Sequence, residues 1–496
     1  MSKKIICLII TAAILTSVFS CSQKTNGNQN GTSQNPGETI AADTSAASTT
    51  EKILPDLPDS NFNGYEFKIY SKGPAYNEWA SQDISASEET GEPINDAVYK
   101  RNNYVEDKLN IKITEVPSTS GDMVSPVKKS VAAGDNSYDA VVPNMFDQAT
   151  LAASGNLTDL KQVPYINLSQ PWWDQKANAD LTIGGKLFFT VGDLFIMDND
   201  ATWLVIFNKK LIADLALETP YDIVKNGKWT FDKLIEMCKG VSKDLNGDGK
   251  MDENDFYGNV SQGENMTAFY LAAQEKIANK DANDLPYTEM DTDRSESVIA
   301  KIYDLMYDNN TSYNYWDIKA IGDLQPFQVC QKVFEDDRAL FYITALQIVI
   351  RMRNMQTNFG IVPMPKFDAN QQDYAHYVHP TASALSIPVS NHGLDRTGII
   401  LEALSAESRY TVRPAYYDIS INGKFLRDEE SIGMLDIILA TRVFDLATMF
   451  NWKGLGTILE DMYRTKSRDF VSTYDKKKDS FDTAISKTVE EFQKLG

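Results

Sequence analysis

The chain is short of the residues on which most catalytic machinery depends. Histidine occurs three times in 496 residues, at 376, 379 and 392. There is no His-Glu-x-x-His, no Gly-x-Ser-x-Gly elbow and no Walker-type glycine loop, which removes zinc-protease, elbow-type serine hydrolase and P-loop chemistry. His376 and His379 stand three apart, but Pro380 opposes the helix that could align them on a metal. Positive charge is scarce as well: 48 Lys and Arg face 69 Asp and Glu, for a net charge of −21. So acidic a surface argues against nucleic acid and anionic lipid headgroups as partners, and suits a self-repelling, monomeric body. After the first 20 residues no apolar run approaches the roughly 20 residues of a membrane span.

What the chain does have begins at its first residues. Lys3-Lys4 precede an apolar run from Ile5 to Phe19, followed by Ser20-Cys21. That is the pattern of a signal peptide, residues 1–20. Val18-Phe19-Ser20-Cys21 resembles a bacterial lipobox, with Val18 in place of the commoner Leu. The resemblance implies cleavage after Ser20, diacylglycerol on Cys21, and an exported chain anchored by lipid to the outer face of the cell membrane. Plain secretion is the alternative, although no A-x-A-like cleavage site is present. Residues 21–60 then read as a polar stalk with too few large apolar side chains to order itself over most of its length. About 30 residues of coil reach about 30 Å. Of the four cysteines only Cys238 and Cys330 fall in the body, either paired or as two buried thiols.

In the body, Tyr65–Tyr70 alternates like a strand, and 93–109 has helical spacing with Pro93 in its first turn. A strand at 111–116, a helix at 124–133 and a buried strand at 138–142 complete a βαβαβ opening, which means a largely parallel sheet covered by helices. Farther on, strands are expected at 185–191, 203–209, 338–343 and 381–387, and helices at 230–241, 296–307 and 328–336. Residues 359–366 are extended because two prolines oppose a helix, and the chain beyond 398 is mostly helical.

Gly185-Lys186, Ile206-Phe-Asn-Lys-Lys-Leu211, Gly227-Lys-Trp-Thr-Phe-Asp-Lys-Leu234, Ala339-Leu-Phe341 and Phe359-Gly-Ile-Val-Pro-Met-Pro365 occur in that order. In this order they resemble the extracellular solute-binding proteins, family 1 type, of carbohydrate ABC importers. Asn95–Asn102 and Pro171-Trp-Trp-Asp174 look like a large, acidic lipoprotein branch of that family. The resemblance implies an α/β fold of two lobes, periplasmic-binding-protein-like (Venus flytrap), with parallel-rich sheets, a hinge between the lobes and a helical C-terminal part. Lobe 1 is expected from 61–190 plus 376–410, and lobe 2 from 195–375 plus 411–496. The implied function is capture of an extracellular sugar or oligosaccharide by hinge closure and its delivery to ABC permease subunits in the membrane, without catalysis. A surface polysaccharide hydrolase or lyase using clustered carboxylates is the alternative, and an adhesion lipoprotein a third reading.

The sharpest local motif is Asp244-Leu-Asn246-Gly-Asp248-Gly249-Lys250-Met-Asp252-Glu-Asn-Asp255. It sets oxygen ligands at EF-hand spacing: side chains of Asp244, Asn246, Asp248, Asp252 and Asp255, the Lys250 carbonyl, and Gly249 at the sharp turn. Asp255 is shorter than the usual Glu. The expectation is a structural Ca²⁺ site, and the bland alternative is a solvated acidic turn.

Sugar recognition asks for aromatic faces and planar hydrogen-bonding groups, gathered at the carboxyl ends of strands. Those positions nominate Trp79, Asn144, Asp147, Trp172, Trp173, Asp200, Trp203, Gln262 and Glu264. Trp172 and Trp173 are adjacent on an extended segment, so at most one of them faces a cleft. Trp203 opens an apolar strand, which favours core burial. His376 and His379 are read as cleft lining or solvated loop.

Overall fold

The computed structural model describes residues 52–308, 311–421 and 428–495. The leader, Cys21 and all of the stalk before Lys52 lie outside them. Among the described residues no helix is long and apolar enough to cross a membrane.

The opening unit follows its sequence pattern closely. Strand β1 (Tyr65–Ser71) lies between β2 (Ile111–Pro117) and β3 (Ala140–Val142), parallel to both. Helix α1 (Pro93–Leu109) starts on its proline and ends at Asn110 in the left-handed region, φ 50°. Helix α2 spans Val124–Ala133. Helix α3 (Met145–Ala153) is capped by Asn144, whose side-chain oxygen accepts from the Asp147 amide at 2.9 Å. The core beneath this sheet gathers Phe67, Ile69, Val105, Ile113, Val142, Trp172 and Trp173 with Ile399, Ile400 and Leu404.

The second sheet is mixed. Strands β4 (Trp203–Asn208), β5 (Tyr257–Val260), β6 (Ser312–Tyr313), β7 (Ala339–Ala345) and β8 (Phe359–Val362) lie in the order β8-β4-β7-β5-β6. β4 runs antiparallel to both neighbours, and β5 runs parallel to β6 and β7. Every residue of β4 and β7 is buried, which explains why both read as unbroken apolar runs rather than as alternation.

Two expected strands are not strands. Residues 185–191 and 381–387 are largely buried, but they form isolated bridges rather than ladders, Ile183 with Lys186, Thr190 with Leu385, Val141 with Ser386 and Asn144 with Ser383. Their apolar side chains fill the core, while the backbone is too irregular to sustain a ladder.

The C-terminal part packs on elements of both sheet units. Helix Val412–Ile421 packs on α1 in the first, and helix Glu429–Ala440 on β8 in the second. Helices Leu446–Phe450 and Phe470–Lys494 pack against α3. Phe492 sets its ring edge-on to Phe188 at 4.8 Å, and Lys186 donates to its carbonyl at 2.8 Å. These late helices thus find partners on α1 and α3 as well as on β8. Cys238 and Cys330 are separate buried thiols, which decides that alternative.

Candidate functional site

The chain crosses between the sheets near 195–202 and again near 376–382, where His376–Tyr377 pairs in parallel with Arg442–Val443. In front of the crossings lies a hollow of about 190 Å³ lined by Glu78, Trp79, Trp203, Gln262, Glu264, Tyr315, Phe327, Thr344, Gln347, Ile348, Arg351, His379 and Thr381, among others. Beside it, sharing Glu78, Gln347 and Arg351, lies a second hollow of about 540 Å³ that reaches Asn95, Asp200 and Tyr416.

The wall from the first lobe is built on the end of β1. Lys72, the residue after the strand, is buried, and its ammonium donates to the Thr381 carbonyl at 2.9 Å. It also lies over the rings of Tyr76 and Trp79, at 5.8 and 6.0 Å from their centroids. Burial lowers the Lys72 ammonium to about 8, against the opposing pull of Asp83, Asp147 and Asp200. Trp79, at the end of the short turn Pro74–Trp79, is half-buried and presents ring surface to the hollow. Phe146 meets the His379 ring edge-on at 5.8 Å. Burial drives the His379 imidazole down to about 4, so it is neutral at physiological pH.

The opposite wall comes from the ends of β5 and β7. Gln262 follows β5 closely, and its side-chain amide donates to the Tyr342 hydroxyl at 3.0 Å and to Thr344 Oγ1 at 2.7 Å. What it can offer a ligand is its carbonyl oxygen. A Cβ on Gly263 would stand 2.9 Å from the Trp316 ring, so glycine is what lets that indole lie against the loop carrying Gln262 and Glu264. Burial raises the Glu264 carboxyl. Trp203 is nearly fully buried, stacks on Tyr377 at 6.5 Å and contributes only an edge of the floor.

Of the nine residues nominated from sequence, Trp79, Trp203, Gln262 and Glu264 meet in the first hollow and Asp200 lines the second. Burial pushes the Asp200 carboxyl up to about 7, even though the Tyr416 hydroxyl donates to it at 2.7 Å. Asn144 and Asp147 lie near the first-lobe wall but are engaged with one another as a helix cap. Trp172 and Trp173 do not face the cleft. Both are buried in the first-lobe core, where Trp173 Nε1 donates to Glu402 at 2.9 Å. The apolar packing of Pro171-Trp-Trp outweighed any benefit of leaving an indole in solvent.

Tyr315, Phe327, Gln347, Arg351 and Thr381 also line the first hollow without having been nominated. Arg351 follows Gln347 by one helical turn, a spacing that places both on one face of the helix Gln347–Arg351. Nothing in the sequence says which face that is.

In the loop Asp244–Asp255 the carboxylates fold back on their own backbone. Asp244 accepts from Gly247 and Gly249, Asp248 from Lys250, and the buried Asp255 from Leu245 and Asp252. Among the described residues no three acidic, histidine or cysteine side chains converge as a metal cage.

No protein-family profile and no curated sequence matches this chain. Solved structures do match in fold. A cyclo/maltodextrin-binding protein complexed with maltotetraose superposes with a TM-score of 0.53 at 13% identity, over 86% of this chain and 96% of that one. A sugar transporter from Rhizobium etli in an open conformation gives 0.55 at 15%, over 87% and 100%. RafE from Streptococcus pneumoniae in its apo form gives 0.52 at 13%, over 87% and 98%. The fold is thus that of the two-lobe solute-binding proteins. That architecture is shared with these structures over nearly their whole length.

Proposed function

We propose that this protein is the solute-binding lipoprotein of an ABC importer, capturing a sugar or oligosaccharide between its lobes and presenting it to a membrane permease. The observation that carries the reading is the cleft itself. Ring surface of Trp79, Tyr315 and Phe327 is set against the hydrogen-bonding groups of Gln262, Glu264, Thr344 and Gln347. Aromatic faces take the apolar side of a pyranose, and the planar polar groups take its hydroxyls. Ligand bound between the lobes favours the closed state through its differential affinity, and a permease reads that state. The similar structures bound to a sugar or named for sugar transport support the ligand class.

The test is mass-spectrometric release of co-purified ligand, followed by thermal-shift screening against a glycan panel. A stabilising sugar is expected. Stabilisation by amino acids alone overturns the ligand class, and release of reducing ends from a glycan pool overturns the binding-only role in favour of a hydrolase.

Attachment through Cys21 belongs to the same reading, since a tether with about 30 Å of reach keeps a receptor beside its permease. The loop Asp244–Asp255 is proposed as a structural Ca²⁺ site on its oxygen spacing. The hydrogen bonds from Gly249 and Gly247 to Asp244 support this by holding the loop curled.

A further inference from the structure

The two hollows are separated by one set of side chains, and those side chains come from opposite lobes. Glu78 belongs to the turn after β1, in the first lobe, whereas Gln347 and Arg351 belong to the short helix after β7, in the second. The Glu78 carboxylate stands 2.5 Å from the Arg351 guanidinium. Gln347 Nε2 donates to the Glu78 carbonyl at 2.8 Å, and Arg351 donates to Gln347 Oε1 at 2.9 Å. The guanidinium also lies 5.6 Å from the Phe327 ring centroid. Each of the three residues therefore restrains the other two, and all three line both hollows.

We propose that the Glu78–Arg351–Gln347 cluster is an interlobe latch, which bridges the lobes across the ligand-free cleft and partitions it until a ligand replaces these contacts and itself holds the closed state. The geometry shows why it can do so. Every bond of the cluster that touches Glu78 links one lobe to the other, so opening the cleft must break both. The ion pair is partly open to solvent, which weakens it by screening, with Arg351 22% and Glu78 38% exposed at their side chains. The latch is therefore weak enough to yield to a ligand, and ionic strength acts on it directly. A ligand confined to one hollow can leave it in place, whereas one extended through both cannot. The inference rests on the two-lobe fold and not on the identity of the ligand.

Hydrogen-exchange mass spectrometry on the ligand-free full chain reads the latch from both sides. Glu78→Gln is expected to speed exchange about two- to fivefold in residues 347–354 of the opposite lobe, and Arg351→Gln to do the same in residues 74–81. The double variant should add little to either single one, because the same link is already lost. Raising salt from low millimolar to 1 M should move both segments together in the unaltered protein, which removes any dependence on how the variants fold. Changes confined to the substituted residue's own segment, or no response of the unaltered protein to salt, overturn the latch while leaving the sugar-binding reading standing.

Discussion

Trp173 Nε1 donates to the carboxyl of Glu402 at 2.9 Å inside the first-lobe core. Burial pushes that carboxyl up to about 7. The folded chain therefore holds a proton that the unfolded chain releases near 4.5, so this group's contribution to stability falls as pH rises from about 4.5 through 7. Glu402→Gln keeps the shape and the acceptor oxygen and removes the titration. We expect it to stabilise the protein at pH 8 by about 2–3 kcal/mol, with little effect at pH 4.5. Denaturant melts at the two pH values check this, and an equal effect at both refutes it.

Trp79 and Trp172 should separate binding from stability. Trp79→Ala is expected to weaken binding of the stabilising sugar about ten- to a hundredfold, with a melting temperature within a few degrees of the parent. Trp172→Ala removes a fully buried indole from the core and should cost about 3–5 kcal/mol of stability. Calorimetric titration and thermal melts distinguish them.

Lys72 carries its ammonium beneath the cleft wall, lowered to about 8 by burial. A lysine whose folded pKa is depressed costs stability below pH 8, and that cost is relieved as pH rises through about 8 to 10.5. Lys72→Met should therefore stabilise the protein at pH 7 by about 1–2 kcal/mol, after subtracting the lost bond to Thr381. A destabilised variant at pH 7 refutes the assignment.

Calorimetric titration of the folded protein with Ca²⁺ should give saturable heat at about 10⁻⁴–10⁻³ M, lost in Asp248→Ala. No heat with the unaltered protein, and no difference in the variant, returns the loop to a solvated turn.

Cys21 is checked by radiolabelled palmitate and by a globomycin-sensitive mass shift. Cys21→Ala should leave the membrane fraction, and a variant that stays membrane-bound refutes the anchor.

Much of the fold was legible in the chain. The unbroken apolar runs at β4 and β7, the alternation at β1, the proline opening α1 and the turn residue closing it each state a local preference strong enough to survive folding. Residues 185–191 and 381–387 misled because apolar content reports burial and not ladder pairing. The site was half legible. Trp79, Gln262 and Glu264 follow strand ends and could be found by that rule, whereas Trp172 and Trp173 carried the same chemistry into a core.

By itself the sequence determined the local elements, the acidic surface and the absence of the common catalytic motifs, because each depends on neighbours along the chain or on composition alone. Tertiary structure decided the rest. It alone set Glu78 against Arg351, 273 positions apart in the chain and 2.5 Å apart in space, and laid the late helices across α1 and α3. Such meetings depend on how whole lobes pack, and no periodicity or spacing along the chain encodes the distance between them.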